Sequence, residues 1–173
     1  MRTPLVTMTA LITLLCVGLA TVQASARAGT PAHGSPRAGS AVQIGTARVS
    51  GLGTVLVRGN GRPLYVFQAT TAAEPGCAAC HKIWFPVLAP ASGHARAVGG
   101  ARQSLIGSVE DPVIRRRVLT YNGWPLYTYV LDKLPDIADG QGILMGGGYW
   151  RVLTAAGKVD TKTVSHGGGY VGS

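Results

Sequence analysis

Asn60-Gly61-Arg62-Pro63-Leu64-Tyr65-Val66-Phe67 is matched 62 positions later by Asn122-Gly123-Trp124-Pro125-Leu126-Tyr127-Thr128-Tyr129. The register holds upstream as well, where Leu56-Val57 aligns with Val118-Leu119. Asn-Gly between runs of β-branched and aromatic residues is the strongest short hairpin signal. Both central residues of a type I′ turn need positive φ, which asparagine tolerates and glycine adopts freely. Each copy therefore predicts strand, tight turn, strand. A Trp-led strand follows each hairpin. The first is Trp84-Phe85-Pro86-Val87-Leu88, ending near Ser92-Gly93. The second is Trp150-Arg151-Val152-Leu153, ending at Ala156-Gly157.

A lone hairpin is not stable in water. Two copies packed about a pseudo-twofold axis would form a shared sheet or small sandwich, each burying one face on the other. The expected fold is mainly β: two pseudo-symmetric hairpin-plus-Trp-strand repeats, about 53–93 and 116–158, in one compact domain over residues 42–164. A turn or two of helix at 77–83 or 103–109 would make it α+β.

The flanks carry other information. Met1-Arg2-Thr3 leads into an apolar run over residues 4–22, then Ala24-Ser25-Ala26, small residues in the pattern of a signal-peptidase site. Residues 1–26 are expected to be a signal peptide, cut after Ala26 or Ala24. Retention as an anchor is disfavoured by Thr7, Thr9 and Thr13 within the run and by the absence of a basic flank. A lipid anchor at Cys16 would want a small residue before it, where Leu15 stands. Residues 27–41 are mostly Ala, Gly, Ser, Pro and Arg, the composition of a flexible tether. Residues 165–173 read as a Gly-rich tail. The mature chain is expected to be soluble and extracytoplasmic, secreted or associated with the cell wall.

The net charge is +9, which suits an anionic envelope component as partner. The basic residues are scattered. Their one cluster, Arg115-Arg116-Arg117, sits between apolar pairs as a solvated turn or strand edge would. No recognition motif points to nucleic acid.

Losing Cys16 leaves an even pair, Cys77 and Cys80, which outside the cytoplasm would oxidise together. Cys77-Ala78-Ala79-Cys80-His81 also has the form of a c-type haem attachment site. His81 would then be the proximal ligand, with Met145, His94 or His166 opposite. The β-type surroundings argue against a small cytochrome. A reactive dithiol or a metal thiol site is a further reading, although thioredoxin-like chemistry wants a βαβ context that is missing here. A structural disulfide requires least, and no cofactor is the simplest expectation.

Tyr65 and Phe67 alternate along one strand, and Tyr127 and Tyr129 along another, so each pair shares a face. They could form a platform for a flat ligand, or core stripes, which is the commoner use of such aromatics. Asp132, Asp136 and Asp139 follow the second hairpin in a glycine-containing loop. They could hold a hard cation or shape turns. No nucleophile with a matched base is identifiable. His33 lies in the tether and His166 in the tail, leaving His81 and His94.

These residues together resemble the bacterial family described as a secreted repeat of unknown function, predicted lipoproteins with a Yx(F/W/Y)xxD motif. Tyr127-Thr128-Tyr129-Val130-Leu131-Asp132 fits the motif in full. Gly140-Gln141-Gly142 and Trp150 follow it as in the family. Tyr65-Val66-Phe67-Gln68-Ala69-Thr70 departs, with Thr70 in place of Asp. Cys77, Cys80 and Trp84-Phe85-Pro86 look like the family's cysteine pair and the Trp-Pro-Pro after it, with Cys77 one residue closer. The resemblance implies a cysteine pair without a cofactor, and His81 is extra to it. The expectation is an exported envelope or extracellular protein that binds or supports and does not catalyse. The alternative is an extracytoplasmic redox protein using Cys77 and Cys80.

Overall fold

The computed structural model describes residues 41–69, 77–91 and 94–164. The export segment with Cys16, the tether with His33, Thr70, the Ser92-Gly93 turn and the tail with His166 lie outside the described residues.

The strands are β1 (Gln43–Val49), β2 (Gly53–Arg58), β3 (Tyr65–Phe67), β4 (Trp84–Pro86), β5 (Arg96–Ala97), β6 (Ile106–Asp111), β7 (Arg116–Tyr121), β8 (Trp124–Pro125), β9 (Tyr127–Tyr129), β10 (Leu144–Met145) and β11 (Gly148–Val152). They form sheets in the orders β2-β1-β5, β10-β11-β3-β9-β4 and β6-β7-β8. Among the described residues, helical backbone is limited to 3-10 turns at Ala78–Lys82 and Gln103–Leu105. The protein is therefore mainly β, as the alternation of apolar and β-branched residues requires. Of the region 103–109, only the first turn is helical; the rest joins β6.

Each hairpin is shorter than its sequence suggests. The Leu64 N–H still donates to Leu56 O at 3.0 Å, and the Leu126 N–H to Leu119 O at 2.9 Å. One residue later the chain leaves for the five-stranded sheet. There Tyr65 pairs with Tyr127, Trp150 with Phe67, and Trp84 with Tyr129, all antiparallel. The alternation of side chains explains the crossing. Tyr65 and Phe67 belong to a core with Trp84, Tyr127, Tyr129 and Trp150, which Val49, Leu52, Val55 and Val57 help to close. Leu64 and Val66 belong to a second core with Ile44, Leu56, Leu119 and Leu126. A strand buried on both sides must sit between two layers, so it cannot remain on the hairpin.

The two Asn-Gly turns also differ. Asn122 and Gly123 have φ of 51° and 82°, as a type I′ turn requires. In the first copy Gly61 is left-handed, at 81°, but Asn60 is not among the positive-φ residues. The Gly61 N–H donates to Arg58 O and the Arg58 N–H to Arg62 O, both at 2.8 Å. This is a three-residue loop ending on a left-handed glycine, the bulged alternative. Asn122 has a tertiary partner, donating from Nδ2 to Gly157 O at 3.1 Å. Asn60 instead accepts the nearby Arg62 N–H at 3.3 Å.

Candidate functional site

The aromatics of both copies meet inside the protein. The Trp84 and Trp150 rings stack at 4.1 Å and 4°. Tyr129 lies 4.4 Å from Trp84, and Tyr65 meets it edge-on at 5.2 Å. Tyr127 meets Trp150 edge-on at 5.1 Å. Trp84, Trp150, Tyr65 and Tyr127 are fully buried, and Phe67 and Tyr129 nearly so. These rings form core stripes and offer no open face to a sugar. Each such pair adds about 0.5–1.5 kcal/mol beyond its buried area.

The motif aspartate closes this core. Tyr65 Oη donates to Asp132 Oδ2 at 2.7 Å, and the Asp139 N–H donates to Asp132 Oδ1 at 3.0 Å. The Gly140 N–H in turn donates to Tyr65 Oη at 3.2 Å. Gly140 must lack a side chain, because a Cβ there would stand 2.6 Å from the Trp84 ring. Burial pushes the Asp132 carboxyl up to about 6, against the pull of the Tyr65 and Asp139 hydrogen bonds. Burial, and then the Asp132 charge, hold the Tyr65 phenol well above its ordinary range.

Gln141, noted in the sequence only as part of the Gly-Gln-Gly segment, has a role that the sequence reading did not assign. It is buried, donates to Asp160 O and Lys162 O at 2.8 Å each, and accepts the Val152 N–H at 2.9 Å. It ties the C-terminal segment to β11. Its place in a Gly-Gln-Gly run was the available signal, since such a run lets an amide side chain approach backbone closely.

Asp132, Asp136 and Asp139 do not converge on a cation. Asp132 is buried, whereas Asp136 and Asp139 are exposed, and Asp136 has a left-handed φ of 65°. Among the described residues no group of three His, Cys, Asp or Glu side chains is placed to hold a metal ion. Asp136 and Asp139 instead border a cavity of about 380 Å³ with Ser50, Ile137, Thr163 and Val164.

Cys77 and Cys80 are joined as a disulfide with Cα atoms 5.3 Å apart. Cys80 is buried against the aromatic core and Cys77 is partly exposed. Cys77 has φ 38° and ψ 70°, a left-handed backbone for a residue with a Cβ. In the chain-entropy picture, closing a loop this short contributes about 2 kcal/mol. The left-handed conformation costs about 1–3 kcal/mol. Gly146, also left-handed at 69°, packs so closely on both sulfurs that a Cβ there would overlap Cys77 Sγ.

His81 points away from solvent. Its Nε2 lies 3.5 Å from Oδ2 of buried Asp111, and its ring centroid 6.1 Å from that of Tyr127. Met145 packs on the aromatic core, its carbonyl accepting Trp150 Nε1–H at 3.3 Å. His94 borders a separate cavity beside Ser108 and Arg117. A haem on this motif needs two separate sulfurs and an imidazole free for iron.

Residues 116–154, which hold β7 to β11 with Tyr127, Tyr129, Asp132, Gln141 and Trp150, match the model of a family described as a secreted repeat of unknown function. No curated protein and no solved structure matches the chain. The family's secreted character supports an extracytoplasmic location. Among the described residues, no helix is long and apolar enough to cross a membrane.

Proposed function

We propose that this protein is an exported envelope module, released or wall-associated, that binds an anionic envelope component. The supporting observation is the distribution of charge. Asp111, Asp132 and Asp160 are buried, while Arg48, Arg58, Arg96, Arg115, Arg116 and Arg117 are exposed. Folding therefore hides carboxylates and leaves a surface more cationic than the composition alone implies. Such a surface attracts phosphate-bearing polymers, with salt screening the attraction over about 8 Å at physiological ionic strength. The buried motif rings leave recognition to this surface.

The test is retention of the exported chain on immobilised poly(glycerol phosphate), on phosphatidylglycerol vesicles and on a neutral glucan, across a salt series. Retention on either anionic support, lost as salt rises and absent on the glucan, is expected. The support that retains it separates wall polymer from lipid. No retention at low salt, or equal retention on duplex DNA, overturns the reading.

A further inference from the structure

We propose that the Cys77–Cys80 disulfide is an exchange site that oxidises thiols, an activity separate from surface binding. Three observations converge on it. The sulfurs are three positions apart, so the bond closes one of the shortest loops available and restrains the unfolded chain least. Cys77 holds a left-handed backbone, at φ 38°, which is disfavoured for a residue with a Cβ. The two residues are also unequal, Cys80 being buried in the aromatic core and Cys77 packed against it but partly exposed. The residue packed on both sulfurs is Gly146, which has no side chain. A bond kept only for stability would be expected to span a longer loop.

The inequality assigns the direction of attack. An incoming thiolate reaches Sγ of Cys77. The new substrate–Cys77 bond forms as the Cys77–Cys80 bond breaks, and the electron pair passes to Cys80 Sγ, which takes up a proton. A second thiolate of the substrate then attacks the substrate sulfur of the mixed disulfide and releases Cys77. The substrate dithiol becomes a disulfide, the protein disulfide becomes a dithiol, and two electrons have moved. The substrate class is a dithiol outside the cytoplasm, where oxidised protein cysteines persist.

The experiment equilibrates the full oxidised chain with a glutathione redox buffer under native conditions, alkylates it and counts thiols by mass. Two thiols appearing while the near-ultraviolet dichroism stays folded is the expected result. A disulfide that opens only when urea unfolds the chain overturns the proposal. In Cys80→Ser, Cys77 should form a glutathione mixed disulfide at least ~10-fold faster than Cys80 does in Cys77→Ser, following exposure. Equal rates in folded variants also overturn it. If either variant fails to fold, the wild-type measurement decides alone.

Discussion

Tyr65 Oη and Asp132 Oδ2 are 2.7 Å apart across 67 positions of sequence, so the first copy's tyrosine is held by the second copy's aspartate. The first copy has Thr70 at the position corresponding to Asp132. The duplicated motif thus contributes one buried carboxylate, which accepts the Asp139 N–H, while the tyrosine it holds accepts the Gly140 N–H.

That carboxylate makes stability depend on pH. Its ordinary value is 3.8, and burial raises it to about 6. Between these values the native chain holds a proton that the unfolded chain has lost. The contribution is therefore fully present below about pH 4 and is lost as pH rises through about 6. The loss amounts to at most about 3 kcal/mol. Urea midpoints measured from pH 4 to 7.5 should fall across this window. In Asp132→Asn the fall should be largely absent, and a slope equal to wild type would show that Asp132 is not its source.

The Trp84–Trp150 stack gives a test of core against platform. Trp150→Ala should lower unfolding free energy by about 3–5 kcal/mol, as removal of a large buried ring does. Tyr149→Ala, next along β11 and 44% exposed, should change it by no more than about 0.5 kcal/mol. Chemical denaturation of both variants decides the matter. A small effect at Trp150 would return the rings to a ligand-binding role.

Gln141 should behave as a structural clasp. Gln141→Ala leaves Asp160 O, Lys162 O and Val152 N–H without the side chain they share. The cost should be at least about 2 kcal/mol. Amide exchange at Val152 should accelerate more than exchange at Leu56, which donates to Leu153 O. Uniform acceleration would mean global destabilisation without a local clasp.

How much of this was legible depends on how local each cause is. The Asn122-Gly123 turn, the alternating aromatics and the strands at Trp84 and Trp150 follow from short patterns, although β11 begins at Gly148, two residues before its tryptophan. β1 pairs with β2, and β6 with β7; Ile44-Gly45 recurs as Ile106-Gly107 at the same offset of 62, a repeat signal too short to have been read as a strand in either copy. The crossing at Leu64 and Leu126 arises because two cores compete for one strand, a tertiary effect invisible to a window of residues. Asp132, Asp136 and Asp139 are close in sequence, yet burial separates the first from the other two. Gln141 reaches its role through contacts with Val152, Asp160 and Lys162 that no spacing rule foretells.

The same contrast between local and tertiary causes separates the two Asn-Gly pairs. Asn122 is left-handed, at φ 51°, and bonds Gly157 O through Nδ2, whereas Asn60 meets neither condition. Asn122→Ala should therefore cost about 1–2 kcal/mol more than Asn60→Ala, the price of a left-handed Cβ with no local hydrogen bond. Asn122→Gly removes the backbone penalty and should recover part of the loss, leaving the missing bond to Gly157. Thermal unfolding of the three variants under one condition gives the comparison. Equal losses at Asn122 and Asn60 would mean that the two turns share one conformation in solution.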